Sequence, residues 1–509
     1  MDELLSERYA NQLDGVLSCY DRMVITGSLV PFCYAQGMTH YLYQQGIRIF
    51  DYAKFAEPLR ARIRENAEAL AEANGVKIEF IRKQDVRQEN RIQKILKERG
   101  EQPGLVHIFG VMEACSSYRP WHDKVTGKTY LKPDSSKCRT YYFYFVDEQL
   151  GWCYLRVPTW CPFRLQFYCN GHNWLANKLK ECGVAYEMLD NAFLQIADYV
   201  AANQLANEFD VEILHQRLDE FAHQDCPVIT ELNIHYHWSI MQTEYATDLI
   251  FKNRETLQAF YPPLLEALTH AVKPADIATF LGRKLNGNYQ GEMGNRFNKR
   301  WLGTRIKHQM GPLSIKLYDK FRFILRIETT VNNVSFFQHY RKVQHRDGST
   351  TRRWAPMKKT IHSLPALCVL LSAANQRYLK FLSSIATPHA GVEKLHQLAE
   401  TKTENQHRHK GFNLFSEEDT CLFRSLLQGE FFISGFTNQQ LRSQYLPHKS
   451  ASQVTRLLKR LRVHGVIKKV GNRYKYYLTD FGRETAAMAL KLREMVVIPH
   501  LAFASIPQP

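Results

Sequence analysis

Toward its C-terminal end the sequence reads Lys449-Ser-Ala-Ser-Gln-Val-Thr-Arg-Leu-Leu-Lys-Arg-Leu-Arg-Val-His-Gly465. Apolar residues recur in this stretch at the spacing of one helix face, namely Val454, Leu457, Leu458 and Leu461. This spacing predicts an amphipathic helix with a buried stripe. Gly465 follows the last periodic residue, which is where helices commonly end.

A second helix and a hairpin are predicted on either side of this helix. The preceding run, Gly435-Phe-Thr-Asn-Gln-Gln-Leu-Arg442, indicates a short helix that begins near Asn438. The following run, from Val466 to Leu478, contains two short apolar stretches around a Gly-Asn turn, which is typical of a hairpin. Helix, turn, helix and basic hairpin together predict a winged helix-turn-helix.

The same segment is strongly basic. Residues 431–479 contain ten Lys or Arg and no Asp or Glu. Protein surfaces normally mix both signs, so this segment indicates an anionic partner. Because Arg and Gln pair with base edges and Lys more often meets phosphate, we predict contacts with duplex DNA, or with structured RNA, through Gln453, Arg456, Lys459, Arg460, Lys468, Lys469, Arg473 and Lys475. Winged helices also serve as protein-docking modules, and that alternative stays open.

The run 453–465 and the hairpin 468–477 resemble the MarR-like winged-helix domains of bacterial regulators. This resemblance covers about 85 residues and implies DNA binding. Over its whole length the chain also resembles a set of uncharacterised bacterial proteins, through Asn170-Gly-His-Asn-Trp-Leu-Ala176, Tyr245-Ala-Thr-Asp248 and Phe280-Leu-Gly-Arg-Lys-Leu285. That second resemblance implies a bacterial origin and one fused architecture, and it assigns no catalytic residue.

The overall composition is that of a folded, basic protein. A chain of 509 residues predicts two or three domains. The net charge of +17 and the pI near 9.3 are typical of nucleic-acid binders. No apolar window is long enough to span a bilayer, and the eleven cysteines contain no Cys-x-x-Cys pair. We therefore predict a cytoplasmic protein with reduced thiols and no membrane partner.

Composition and patterning predict a multidomain α+β protein. Residues 1–210 alternate strands and helices and indicate a mixed α/β domain. Residues 211–395 predict a basic α+β domain, and the polar residues 396–411 predict a linker. Residues 412–500 form the predicted winged helix-turn-helix domain. No internal repeat is visible in the sequence.

A second basic zone lies in the middle of the chain. Residues 296–359 contain sixteen Lys or Arg against three acidic residues. Two predicted strands in this zone, Leu313–Tyr318 and Phe323–Thr330, place basic side chains on one face. We predict that this basic zone holds a phosphate backbone through Arg305, Lys307, Lys316 and Lys320.

Two carboxylates in these strands are candidates for metal-dependent phosphodiester cleavage. Asp319 lies near the predicted turn, and Glu328 alternates onto the face that carries the lysines. A carboxylate among lysines and a tyrosine is a candidate metal or phosphate site. The segments Ile315-Lys-Leu-Tyr-Asp-Lys320 and Leu325-Arg-Ile-Glu328 are similar to a strand pair in rolling-circle replication initiators. A salt-bridged sheet face is the alternative.

Other carboxylates lie at predicted strand ends. Asp21, Glu113 and Asp248 have the distribution that a two-metal site of the RNase-H type requires. With Asp319 and Glu328 they complete the candidate catalytic set, for which Mg²⁺ or Mn²⁺ is the expected cofactor.

Two further patterns remain alternatives. His235-Tyr-His237 has the His-hydrophobe-His spacing of nickases that attack DNA with a tyrosine. The set Cys115, His122 and Cys138 offers zinc-ligand chemistry without the short spacing of structural zinc sites. No Walker loop or dinucleotide-binding glycine motif is present.

Together these patterns predict a nucleic-acid-binding protein of a bacterial mobile or extrachromosomal element, with metal-dependent cleavage or strand transfer as an added activity. A non-enzymatic transcriptional regulator and a structured-RNA-binding protein are the alternative interpretations.

Overall fold

A computed structural model describes residues 4–81, 88–100, 102–283, 291–300, 303–385, 388–470 and 474–504. The chain forms two compact units, unit 1 (residues 1–386) and unit 2 (residues 387–509). Both units combine helices with β-strands, which confirms the predicted multidomain α+β class.

Unit 1 contains fifteen strands and eleven α-helices among its described residues. The strands are β1 (Leu13–Leu29), β2 (Ile78–Ile81), β3 (Gly104–His122), β4 (Thr129–Asp147), β5 (Gly151–Pro158), β6 (Leu165–Asn170), β7 (Tyr186–Met188), β8 (Phe193–Ile196), β9 (Tyr236–Phe251), β10 (Met293–Arg300), β11 (Gly303–Met310), β12 (Leu313–Lys320), β13 (Ile324–Val331), β14 (Gln338–Gln344) and β15 (Thr350–Pro356). The helices are α1 (Leu5–Arg8), α2 (Ala35–Gln44), α3 (Tyr52–Ala73), α4 (Gln88–Arg99), α5 (Gly171–Glu181), α6 (Tyr199–Asn207), α7 (Val211–Asp225), α8 (Val228–Leu232), α9 (Arg254–Ala271), α10 (Pro274–Phe280) and α11 (Leu364–Ile385).

Eleven of these strands form one sheet in the order β10-β11-β12-β13-β9-β1-β6-β5-β4-β3-β2. The two central strands, β1 and β9, are long and antiparallel, and most of their residues are buried on both faces. β13 is buried along its whole length, although four of its eight residues are polar or charged. Polar side chains in these strands therefore lie inside the protein and require internal partners.

The sheet contains a topological repeat that the sequence does not reveal. β1 is followed by α2 and α3, then by β2 and α4, and then by the meander β3 to β6, whose last strand pairs with β1. β9 is likewise followed by α9 and α10 and then by the meander β10 to β13, whose last strand pairs with β9. The two repeats meet at the antiparallel pair β1 and β9, so the centre of the sheet receives corresponding strands from both.

This arrangement differs from the predicted division at residue 210. β1 lies before that position and β9 after it, yet the two strands pair from Leu13 and Phe251 to Leu29 and Tyr236. Because one sheet and one large apolar core run through both predicted domains, residues 1–386 form a single unit. Composition changes along the chain did not reveal the pairing because pairing depends on contacts distant in sequence.

Unit 2 contains the predicted helix-turn-helix and hairpin. Its elements are α12 (Pro388–Ala399), β16 (Lys402–Glu404), β17 (His407–His409), α13 (Glu417–Leu426), α14 (Gly429–Ser434), α15 (Asn438–Tyr445), α16 (Ala451–Val463), β18 (Ile467–Lys469), β19 (Tyr476–Leu478), α17 (Asp480–Leu492) and α18 (Ile498–Ala504). Capping boxes at Thr437 and Ser450 begin α15 and α16, and Gly465, with a φ of 77°, follows the end of α16. β18 and β19 form the wing.

The predicted linker, residues 396–411, belongs to the structure of unit 2. It contains the end of α12 and the small hairpin of β16 and β17. Leu398 is fully buried in the apolar core of this unit, and the His464 ring contacts the carbonyl of Glu400. The polar composition of this segment reflects an exposed hairpin rather than a free connection. Among the described residues, no helix is both long and apolar enough to cross a membrane.

Candidate functional site

A cluster of charged side chains occupies the centre of the eleven-stranded sheet. Asp21 of β1, Glu244 of β9 and Glu328 of β13 place carboxylate oxygens within 4.8 Å of one another. Lys316 of β12 lies directly opposite Glu328 in the strand register. Since alternate residues of a strand share a face, Glu244 and Asp248 point to the same side of β9. The cluster therefore draws on four adjacent strands and both repeats.

Arg326 of β13 forms the buried part of this cluster. Its guanidinium is fully buried and pairs with Asp21 at 3.0 Å and with Asp248 at 2.6 Å. It also contacts the His172 ring at 3.1 Å and donates to the carbonyl of Asn191 at 3.1 Å. Burial raises the pKa of Asp248, but Arg326 and His172 lower it by more than burial raises it. The pKa of Asp248 is therefore about 2. Asp248 is therefore a charged partner of Arg326 at neutral pH.

The more accessible part of the cluster centres on Lys316. Its ammonium donates to Glu244 at 2.9 Å and also to Glu328. The Tyr318 hydroxyl donates to the second oxygen of Glu328 at 2.6 Å. Burial and the neighbouring Glu328 raise the pKa of Glu244 despite Lys316. A further cation close to Glu244 would favour its charged form.

The three carboxylates can hold a metal ion. Carboxylate oxygens from separate strands are the ligands that Mg²⁺ and Mn²⁺ prefer. In the present arrangement the Lys316 ammonium supplies the positive charge between Glu244 and Glu328. A divalent cation bound there would compete with this ammonium.

The structure brings together three of the five predicted catalytic residues. Asp21, Asp248 and Glu328 belong to the cluster, but Asp319 does not. The Asp319 carboxylate accepts hydrogen bonds from Gln258 of α9 and from the backbone N–H of Arg322 at 2.7 and 2.8 Å. The predicted grouping of Asp319 with Glu328 is incorrect. Glu328 lies opposite Lys316 in the strand register, and Asp319 lies on the other face of β12 from Lys316.

Glu113 is also separate from the cluster. It lies on β3, four places from β1 in the sheet, and pairs with Arg156 at 2.9 Å. Its second oxygen accepts a hydrogen bond from Tyr142. The predicted position of Glu113 after a strand was wrong, because β3 continues to His122, and the order of strands in the sheet also places Glu113 away from Asp21.

Three members of the cluster were missed in the sequence, namely Glu244, Arg326 and His172. A signal for Glu244 was present in the sequence, because Glu244, Ala246 and Asp248 are spaced two residues apart and therefore share one face of a strand. Arg326 was visible in its strand, but nothing in the sequence pairs it with Asp21 some 300 residues earlier. His172 follows Asn170, whose side chain caps α5 and donates to Asp21 at 2.7 Å.

A row of cations leads across the sheet to the cluster. Arg296, Lys307, Lys316 and Glu328 lie directly opposite one another on β10 to β13. Partial burial, with the charges of Lys316, Arg305 and Arg296, lowers the pKa of Lys307. The predicted set of Arg305, Lys307 and Lys316 is therefore brought together on one sheet face.

Lys320, like Lys316, is engaged by polar groups inside unit 1. Its ammonium donates to the side chain of Asn191, within the cluster around Asp21. Burial and the charge of Arg326 lower the pKa of Lys320 to about 8. Lys320 thus donates to Asn191 inside the protein, which does not fit the predicted phosphate contact.

Neither alternative metal pattern forms a group of potential ligands among the described residues. His235 and His237 are exposed, and neither belongs to a group of potential ligands there. Cys115 and Cys138 lie on the paired strands β3 and β4, whereas His122 contacts Thr129 at 2.9 Å. The carboxylates Asp21, Glu244 and Glu328 form the one potential metal-binding group found in the described part of the chain.

The second candidate site is a basic groove in unit 2. It has a volume of about 560 Å³ and lies between α16 and the hairpin of β16 and β17. Its walls are formed by His407, Arg408, His409, Lys410, Glu418, Lys449, Gln453, Arg456, Leu457, Lys459 and Arg460. Glu418 is the one acidic residue in this lining, and it pairs with Lys449 at 2.7 Å. The groove is therefore strongly positive.

Arg456 is the predicted base-contacting residue that remains available. It is exposed and makes no hydrogen bond or ion pair with any residue that the structure describes. Gln453 is exposed, but its side chain accepts the backbone N–H of Ser450 at 2.7 Å and completes the cap of α16. Gln453 therefore has a local structural role that its helical position alone did not reveal.

Arg460 is not free for the predicted contact with nucleic acid. Its guanidinium pairs with Asp419 at 2.9 and 3.0 Å and donates to the carbonyls of Lys410 and Gly411. It also lies 3.9 Å from the centre of the Phe412 ring. The sequence did not reveal this because residues 410–419, which precede the helix-turn-helix, pack against this side of α16.

The remaining predicted cations of unit 2 are at least partly exposed. Lys459 lies 4.0 Å from Glu404, and Lys468 and Lys469 are exposed on β18. Lys475 precedes β19 and is half-buried. Arg473 and the predicted Gly-Asn turn lie outside the described residues.

Comparison with known proteins does not identify a family for this chain. No protein-family model and no curated protein matches its sequence.

Proposed function

We propose that this protein binds nucleic acid through the basic groove and wing of unit 2, with duplex DNA as the main ligand. The observation that carries the proposal is the basic groove, where cations line the outer surface of α16. The helix α16 follows a turn and carries Arg456, which is unpaired among the described residues, so it suits insertion into a major groove. Lys468 and Lys469 of the wing suit contacts with the flanking phosphates. We place this activity in the cytoplasm, in a protein of a bacterial mobile or extrachromosomal element.

The test compares cations of the basic groove and the wing with an exposed cation elsewhere in unit 2. Arg456→Ala should weaken binding to a specific duplex by ~1–3 kcal/mol if it contacts a base. Lys468→Ala should weaken binding to all duplexes and reduce its salt dependence, because lysine contacts with phosphate release counterions. Lys491→Ala, an exposed lysine of α17, is the matched control.

Fluorescence anisotropy with labelled duplex DNA and with an RNA hairpin measures these affinities. Equal affinity of Arg456→Ala, Lys468→Ala and the wild type for every ligand would contradict the proposal. The sequences of the labelled ligands are taken from the nucleic acid that co-purifies with the protein. A discrete RNA, rather than DNA, would favour the structured-RNA-binding alternative.

A second candidate function is metal-dependent phosphodiester cleavage in unit 1. It is favoured by the juxtaposition of the carboxylate cluster with the row of Arg296, Lys307 and Lys316. Cations along a sheet face can hold a phosphate backbone, while Asp21, Glu244 and Glu328 would bind Mg²⁺ or Mn²⁺. A bound cation polarises the scissile phosphate and lowers the pKa of a bound water.

This second candidate has two independent readouts. Mn²⁺ should raise the unfolding temperature of the wild type, because a ligand that binds the folded state stabilises it. Glu244→Gln should abolish this increase, whereas Glu98→Gln, an exposed carboxylate of α4, should retain it. Supercoiled plasmid should be nicked by the wild type and not by Glu244→Gln. Tight duplex binding with neither effect would instead indicate a non-enzymatic regulator.

A further inference from the structure

A separate hairpin projects from unit 1, and we call it the basic arm (residues 338–356). Its strands β14 and β15 pair with each other and do not join the eleven-stranded sheet. The arm is anchored at its base, where Phe337, Ala355 and Met357 are buried and the Met357 N–H donates to the Phe337 carbonyl at 2.9 Å. Seven residues per strand extend it by roughly 23 Å, at ~3.3 Å per residue.

The basic arm places like charges opposite one another. Arg341 lies opposite Arg353, and Lys342 lies opposite Arg352 in the strand register. Directly opposed like charges destabilise an antiparallel pair. The acidic residue of the arm, Asp347, is in the turn and accepts hydrogen bonds from Ser349. An anion that bridges the opposed cations would remove this repulsion.

One face of the basic arm also exposes two aromatic rings. Tyr340 and Trp354 lie opposite each other, with ring centres 6.0 Å apart. Their exposed fractions are 53% and 67%, so large ring surfaces remain in contact with water. Strand alternation places this pair on the same face as Lys342 and Arg352. The outer face therefore carries aromatic rings beside cations.

This combination discriminates between possible ligands. The Tyr340–Trp354 contact stabilises the hairpin itself, but that role requires no cations on the same face. A blunt duplex offers phosphates and hides its base faces inside the stack. A strand with unpaired nucleotides offers both phosphates and free base faces, which aromatic rings beside a basic surface bind by stacking.

We propose that the basic arm binds unpaired nucleotides, with the bases stacked on Trp354 and Tyr340 and the phosphates held by Lys342 and Arg352. This inference rests on the proposed nucleic-acid-binding function and adds a second ligand form to it. It assigns the arm to single-stranded DNA or RNA, at a site distinct from the basic groove of unit 2.

The test uses the full-length protein with three labelled ligands of one sequence, a single-stranded DNA, a single-stranded RNA and a blunt DNA duplex. Trp354→Leu removes the aromatic ring but keeps an apolar side chain. It should weaken single-strand binding by about 5- to 140-fold, since stacking contributes ~1–3 kcal/mol per base and 1.4 kcal/mol is tenfold. Trp354→Phe should remain within about threefold of the wild type.

Two controls separate this effect from general damage. Trp121→Leu removes a partly exposed tryptophan of β3 and should leave single-strand binding unchanged. The duplex affinity of Trp354→Leu should equal that of the wild type. The double variant Lys342→Ala/Arg352→Ala should reduce the salt slope for single strands by about 1.4, or ~0.7 per phosphate contact.

Two outcomes would overturn the inference without affecting the proposed function. One is wild-type binding to the duplex but not to either single strand. The other is single-strand affinity in Trp354→Leu that stays within threefold of the wild type. A wild-type protein that binds none of the three ligands would overturn both the inference and the proposed function.

Discussion

Arg460 is predicted to stabilise unit 2 rather than to read DNA, although it lies one helical turn from Arg456. Removing its side chain deletes two ion-pair contacts with Asp419 and the hydrogen bonds to two backbone carbonyls. The paired side chains are only 15% and 8% exposed, so Arg460→Ala leaves a nearly buried carboxylate without its counter-charge.

The expected size of this effect follows from the burial of the pair. Breaking a buried ion pair by removing one partner costs about 3–5 kcal/mol. Asp419 keeps the backbone N–H of Asn413 at 2.9 Å, which favours the lower end, ~3 kcal/mol. Arg456→Ala, at an exposed position of the same helix, should change the unfolding free energy by less than about 0.5 kcal/mol.

The distribution of tryptophan allows the two units to be followed separately. All seven Trp residues lie in residues 1–386, so tryptophan fluorescence reports on unit 1. Circular dichroism reports on the helices of both units. Urea unfolding of Arg460→Ala should therefore shift a dichroism transition to lower urea while the fluorescence transition stays in place.

One result would refute this reasoning. If Arg460→Ala unfolds like the wild type and yet loses DNA affinity as Arg456→Ala does, then Arg460 acts as a ligand contact. Loss of affinity without loss of stability would mean that the pair with Asp419 opens when DNA binds.

Two further predictions concern unit 1. Arg326→Met should destabilise this unit by about 3–5 kcal/mol, measured by tryptophan fluorescence in urea, because Asp21 and Asp248 lose their buried counter-charge; unchanged stability would contradict the network. Burial raises the pKa of Asp225 from 3.8 to about 8, so the folded state keeps a proton that the unfolded state releases. Stability should fall as pH rises from 4 to 8, by at most ~1.4 kcal/mol per pH unit, and then level off. Asp225→Asn should remove this contribution, and an unchanged pH profile would contradict it.

The elements of unit 2 were predictable because their signals are local. The apolar spacing of 454–461, the Ser450 cap and Gly465 define α16 within a few residues. The periodicity could not show which part of the polar surface of α16 is covered by another segment. Arg460 has the same helical spacing as Arg456, and only the packing of residues 410–419 against α16 separates their roles.

The carboxylate cluster of unit 1 was predictable only in part. Asp21, Asp248 and Glu328 were selected as carboxylates in or beside strands, and the fold does bring them together. Their grouping depends on β1 pairing with β9 and β9 with β13, and the first of these pairings joins residues as far apart in sequence as Leu13 and Phe251. Glu113 and Asp319 have the same local features, and sheet order and strand register exclude them.

The most direct test of nucleic-acid binding is the salt dependence of duplex affinity for the full-length protein. Five phosphate contacts from the basic groove and wing would give a slope near −4.5, at ~0.9 per contact, and a loss of affinity of about 500-fold between 50 and 200 mM salt. Anisotropy titrations at four salt concentrations measure this slope. A steep linear decrease is the predicted result, and no binding at 50 mM salt, or an affinity independent of salt, would contradict the account.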